Sequence, residues 1–118
     1  MSARARAALG RTDANHREIV DTYEALLCRV IDTHAVGGGF GDVVVRIPTK
    51  RGPVVHIVEI KTADGELRPN QERFAREWGS VVVCVRNRED VIAHVEAVRG
   101  LASEARLPGE LAPSPPPC

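Results

Sequence analysis

The sequence predicts an α/β fold of the α+β kind, in the order αβββαβα, with a mixed central sheet flanked by helices. Three observations predict it: an apolar stripe of helical period in the first third of the chain, three consecutive β-prone runs after it, and two later helical segments separated by an apolar run.

Residues 1–10 are rich in Ala and Arg and are expected to be a flexible N-terminal segment. Asp13 then suits an N-cap, for a helix whose apolar positions Ile19, Val20, Tyr23, Leu26 and Leu27 follow helical spacing. A short β-prone run, 30–36, ends at Gly37, Gly38 and Gly39, where the chain must bend. Residues 40–47 read as a strand, 48–53 as a turn and 54–61 as a second strand, together a hairpin. After a polar loop, Pro69 fits the first turn of a helix reaching Trp78, with Phe74, Ala75 and Trp78 on one face and Gly79 as its stop. The apolar run 80–85 is expected to be a strand buried on both faces. Asn87 caps a last helix carrying Val91, Ile92, Val95 and Val98, with Gly100 as its expected end. The folded domain is thus 11–106, and residues 107–118, rich in Pro, read as a disordered tail.

A chain of 118 residues closes one core, so one compact site is expected. Its 43% hydrophobic and 27% charged residues are ordinary for a soluble protein, and no apolar run approaches the roughly 18 residues of a membrane span. The first residues lack the apolar core of a secretory signal, so a cytoplasmic location is expected. Cys28, Cys84 and Cys118 share no metal-ligand spacing, and neither a disulfide framework nor a zinc site is expected. Formal charge is balanced at 16 basic and 16 acidic residues, so whole-molecule charge does not announce a nucleic-acid binder. Local basic groups remain: Arg4, Arg6, Arg11 and Arg17 against Asp13, and the pair Lys50 and Arg51.

Charged side chains that interrupt apolar strands are costly unless paired or bound to a metal. In 54–61, Glu59 and Lys61 project from one face while Val58 and Ile60 point the other way, and Asp42 leads the run Val43, Val44, Val45. If the hairpin turn centres between Lys50 and Arg51, paired residues have numbers summing to 101, which sets Asp42 opposite Glu59. Two opposed carboxylates destabilise a sheet unless a cation sits between them, and hard oxygen ligands suit Mg²⁺ or Mn²⁺. A plain ion pair between Glu59 and Lys61, with Asp42 as a turn acid, is the alternative reading.

The string from Gly38 through Phe40, Gly41 and Asp42 to Val45, followed by Val58, Glu59, Ile60, Lys61 and then Leu67, Arg68, Pro69, Asn70, Gln71, resembles the PD-(D/E)xK nucleases. Within them it looks most like the VRR-NUC and archaeal-type Holliday junction resolvase branch, often found in phages. The resemblance covers roughly residues 11–100 and implies a restriction-endonuclease-like core. It implies Asp42, Glu59 and the backbone carbonyl of Ile60 as metal ligands, Lys61 as the catalytic lysine and Gln71 as a residue that positions water or phosphate. Many members add an acid from the first helix; Glu18 is the choice here, with Asp13 and Glu24 as competitors. The family's proline before the aspartate is Gly41 in this chain, which is expected to loosen the loop. His16 and His34 are candidates for the rim of the site, and His56, on the face opposite Glu59, is expected to be structural.

These readings converge on a Mg²⁺-dependent DNA endonuclease, with Mn²⁺ as a substitute, and the resemblance implies branched DNA, particularly four-way junctions, as its substrate. The expected assembly is a homodimer, since resolving a junction takes two matched cuts. If phage-encoded, it would work in the host cytoplasm. Two rivals are a non-catalytic DNA-binding module that keeps the fold and a nuclease acting on linear DNA in restriction or repair. Phe40, Phe74, Tyr23 and Trp78 are few and most fit the core pattern, so a stacking platform for single strands is not expected.

Overall fold

Alternation along residues 43–47 sets the layering: Val43, Val45 and Ile47 are buried while Arg46 is exposed, so one face of the sheet carries the core. The computed structural model describes the backbone of residues 3–104 and the side-chain surroundings of residues 14–101. Its elements are α1 (Ala3–Ala25), β1 (Arg29–Asp32), β2 (Val43–Ile47), β3 (Val54–Ile60), α2 (Pro69–Trp78), β4 (Val82–Val85) and α3 (Arg88–Glu104), with a single 3-10 turn, Gly79–Val81, ahead of β4. The order is αβββαβα. The Pro-rich tail expected at 107–118 lies outside the described residues.

The four strands lie in the order β1-β2-β3-β4, with antiparallel pairing except between β3 and β4, which are parallel. A parallel neighbour needs a crossover, and α2 supplies it. The hairpin register is the one expected: Val43 pairs with Val58 and Ile47 with Val54, around a turn closed by the Gly52 N–H donating to Thr49 O at 3.1 Å. Ile19 and Tyr23 of α1 and Val91, Val95 and Val98 of α3 pack with Val43, Val45, Ile47, Val58, Val83 and Val85 of the sheet into one core. The opposite face carries Glu59, which Gln71 of α2, a helix with no buried residue, meets by hydrogen bond.

Several boundaries differ from expectation for local reasons. α1 begins at Ala3, because Ala, Arg and Leu are strong helix formers and carry the helix through Asp13, so the helix does not start there. β1 stops at Asp32 and β2 starts at Val43, since Gly37, Gly38 and Gly39 hold positive φ and break the extended backbone. β4 is an edge strand among the described residues, with only Val83 and Val85 buried, so it is not covered on both faces. α3 runs past Gly100 to Glu104; a helical glycine costs about 1 kcal/mol but does not by itself end a helix. Asn87 does cap α3, its Oδ1 accepting the Asp90 N–H at 2.8 Å.

Polar groups inside the core are paired. The Tyr23 hydroxyl meets His94 Nδ1 at 2.8 Å, and His94 Nε2 meets His56 Nδ1 at 2.7 Å, tying α1, α3 and β3 together. His56 is thus structural. Arg99 of α3 donates to Leu26 O and, at 3.1 Å, to Pro48 O, holding the end of α1 against the hairpin. Cys28 is buried as a free thiol, whereas Cys84 is disulfide-bonded, against expectation. No helix among the described residues is long and apolar enough to cross a membrane.

Candidate active site

Asp42 stands one residue ahead of β2 and is fixed on three sides. Its N–H donates to Val58 O at 2.9 Å, its carbonyl accepts the Thr33 N–H at 2.8 Å, and its Oδ2 accepts the Ile60 N–H at 2.7 Å. The hairpin register alone would set Asp42 opposite Glu59; the bond to Val58 shows the ladder displaced at this end, with the carboxylate lying across β3. Two glycines permit this path. A Cβ at Gly39, where φ is +86°, would collide with the Asn70 carbonyl, and one at Gly41 would fall 2.8 Å from Val58 O. Gly41 therefore does not loosen the loop, as expected from the lost proline. It is buried and lets the backbone press against β3.

Glu59 is the one buried charged residue among those described, 4% exposed. Its Oε1 accepts from Gln71 Nε2 at 2.7 Å and lies 3.3 Å from Lys61 Nζ. Burial, and then the neighbouring Asp42 carboxylate, push its pKa up to about 7, with Lys61 opposing. Gln71 binds the cluster together, because its Oε1 also accepts from Lys61 Nζ at 2.9 Å and from the Arg68 N–H at 2.8 Å. Two donors on Oε1 and a carboxylate on Nε2 leave one orientation for the amide. The Arg68 bond also caps α2. The reciprocal half of a capping box is not made, since a guanidinium has no acceptor to offer the helix.

The backbone of Lys61 is held from two sides, its N–H donating to Val85 O at 3.0 Å and its carbonyl accepting from Asn15 Nδ2 at 3.2 Å. Arg86 clasps the following loop by donating to Thr62 O and Gly65 O. Asn15 and Arg86 are the residues that sequence reasoning missed. The signal for Asn15 was present: Ile19 and Tyr23 mark the inward row of α1, and Asn15 is four residues ahead on that row.

The same row explains where Glu18 goes. It is exposed and lines a groove between α1 and α3 with Arg17, Asp21, Arg88 and Ile92, and the structure does not bring it to Asp42 and Glu59. Glu24 is exposed too, and the surroundings of Asp13 lie outside the description. His34 is exposed at the rim, 2.6 Å from Asp32 Oδ1, which raises its pKa. His16 sits in the crevice between α1 and β1, beside Asp32 and Val43.

The donor set fits a hard divalent cation. Burial, and then the Asp42 carboxylate beside it, keep a proton on Glu59 near neutrality, a cost that a cation bound between the two carboxylates would offset. No three His, Cys, Asp or Glu side chains converge among the described residues. A cation at Asp42 and Glu59 would thus fill its shell with backbone carbonyl, water and phosphate oxygens, the mixed shell that Mg²⁺ tolerates.

A mixed sheet between helices, with two carboxylates, a lysine and a glutamine gathered at one end of its hairpin, is a restriction-endonuclease-like nuclease core. The VRR-NUC domain model matches residues 7–85, and the chain belongs to that family, a family of PD-(D/E)xK-type nucleases whose implied substrate is DNA. Comparison with curated proteins and with solved structures finds no significant match.

Proposed function

We propose that this nuclease is a divalent-metal-dependent endonuclease that cuts branched DNA, four-way junctions included. The observation that carries the reading is the cluster in which Gln71 bonds both Glu59 and Lys61 while Asp42, held by the Ile60 N–H, sets its carboxylate beside Glu59. Asp42, Glu59 and the Ile60 carbonyl would hold Mg²⁺ or Mn²⁺. Bound there, the cation supplies Lewis-acid polarisation of the phosphate and a water acidic enough to act as nucleophile.

The chain's own residues do the rest. The Ile60 N–H fixes Asp42 Oδ2, so the carboxylate is oriented before any cation arrives. Gln71 holds both Glu59 Oε1 and Lys61 Nζ, which keeps the lysine beside the carboxylates and ready to stabilise negative charge on a phosphate oxygen. The family resemblance, not the geometry, points to junctions, and with them to a homodimer whose two-fold axis pairs the cuts. Action in the cytoplasm, the host's if the chain is phage-encoded, belongs to the same reading.

Nicking of a synthetic four-way junction, a flap and a linear duplex, with Mg²⁺, with Mn²⁺ and with EDTA, tests it. Cleavage lost in EDTA and in Asp42→Ala supports it. Junction binding without cleavage under any metal would instead make the protein a binding module, and cutting of linear duplex alone would move it to restriction or repair.

A further inference from the structure

We propose that Phe40, Phe74 and Trp78 form a stacking platform for unpaired bases, so that the preferred DNA carries a single-stranded arm beside the cut. This rests on the nuclease reading for what lies at the end of the platform.

The sequence pattern placed these rings in the core, and the structure does not. None is buried, and Trp78 is 55% exposed. They form a continuous row: Phe40 meets Phe74 edge-on with centroids 5.3 Å apart, and Phe74 stacks on Trp78 at 5.1 Å and 14°. Three of the chain's four aromatic side chains thus sit together at the surface, and only Tyr23 is in the core. Scattered exposed apolar residues need no explanation, but a stacked row of rings is the form that binds bases.

The row is continuous with the candidate site at both ends of its first step. Gln71, Phe74 and Trp78 follow one another on the same face of α2, and Gln71 hydrogen-bonds Glu59 and Lys61. Phe40 is two residues from Asp42. From Gln71 to Trp78 the helix rises about 10 Å, room for about three bases at roughly 3.4 Å each. The exposed charges of α2 cancel, Arg73 and Arg76 against Glu72 and Glu77, so this helix offers little to phosphates. What it offers is ring faces. Paired DNA hides its base faces in the stack, and an unpaired arm presents them, which makes the occupant a single strand.

Trp78 is the only tryptophan, so its emission reports the platform directly. The full-length protein in EDTA is titrated with a blunt duplex and with the same duplex bearing a ten-thymidine arm. The armed duplex should quench Trp78 and the blunt one should not. By anisotropy of labelled DNA, Trp78→Ala and Phe74→Ala should weaken binding of the armed duplex about tenfold or more, Trp78→Phe should restore it, and binding of the blunt duplex should stay unchanged. Equal quenching by both DNAs, or an arm preference intact in Trp78→Ala, overturns the proposal. So does Trp78 emission that shifts with protein concentration alone, which would make a second copy the occupant. Binding without metal is read apart from cleavage: arm preference in a protein that never cuts would sink the endonuclease reading and leave the platform standing, and cutting without arm preference would do the reverse.

Discussion

Gln71 donates its amide to Glu59 Oε1 at 2.7 Å while accepting Lys61 Nζ at 2.9 Å, so one neutral side chain braces an acid and a base that also pair directly at 3.3 Å. Gln71→Ala leaves Glu59 and Lys61 with only their direct contact to position them and removes the bond that caps α2. Single-turnover nicking should fall by about 10- to 100-fold, on the order of the loss expected when a positioned polar group is removed, with about 0.5–1 kcal/mol lost from stability. Gln71→Glu keeps both acceptor bonds but sets a third carboxylate against Glu59. It should melt near the wild type, yet cut no better than the alanine variant; activity equal to wild type would show that the donor to Glu59 is dispensable.

Glu59 titrates near 7, because burial and Asp42 both oppose its charge. Metal must displace that proton, so calorimetry with Mn²⁺ should show affinity about tenfold weaker at pH 6 than at pH 8. The folded pKa is raised, so the group favours folding when protonated, and that contribution is lost as pH rises from about 4.5 to about 7. Glu59→Gln is therefore expected to bind no metal and, at pH 8 without metal, to be more stable than wild type by up to about 2 kcal/mol. An unchanged or lower melting temperature would mean that the carboxylate is not strained in the free protein.

The His56 and His94 pair bends stability the other way. Burial lowers both, His94 to about 4 with His56 adding to the effect. Unfolded histidines take up protons near 6.5, so the stability of the neutral pair is complete above that pH and is lost as pH falls toward 4. Urea denaturation between pH 7.5 and pH 4.5 should show a loss on the order of 3 kcal/mol from this pair. His94→Leu, although less stable at neutral pH because Tyr23 and His56 lose a partner, should flatten that slope; an equal slope would place the acid sensitivity elsewhere.

Leu27 follows α1 with φ at +70° and is 79% exposed. The Cys28 N–H donates to Tyr23 O and the Leu27 N–H to Glu24 O, a helix stop that normally takes glycine at the position Leu27 fills. Leu27→Gly should stabilise the protein by about 0.5–1 kcal/mol, since left-handed backbone strains a leucine and little burial is lost. Thermal denaturation should then show a rise of a few degrees, and a fall would mean that the leucine packs in solution.

What the sequence made legible was periodic. Alternation in 54–61 put Glu59 and Lys61 on one face, the turn at Lys50 and Arg51 fixed the register, and Pro69 and Trp78 bounded α2 as expected. What escaped it depended on tertiary packing. Helical spacing puts Phe74 and Trp78 on one face but cannot say whether that face meets a sheet, and here it meets mainly Phe40. Charge beside an apolar pair suggested Glu18, whereas the inward row runs from Tyr23 through Ile19 to Asn15, a neutral residue that no search for acids would choose.

Gly41 shows the same limit most sharply. As a letter it is a missing proline; in the fold it is the point where the loop bearing Asp42 touches β3, with no room for a Cβ between Ile57 Cγ2 and Val58 O. Both obstacles would have to move, and Val58 is part of the core. Gly41→Ala should cost about 1–3 kcal/mol, the range of an overpacked interior, and should shift Asp42 away from the Ile60 N–H. Cleavage is then expected to fall more than stability alone explains, when measured well below the variant's melting temperature. Gly41→Pro, although it restores the residue usual in the wider nuclease group, should do worse than alanine, because its ring carries the same Cβ into the same wall. A proline variant as stable and active as the wild type would mean that the loop does not press on β3 at all.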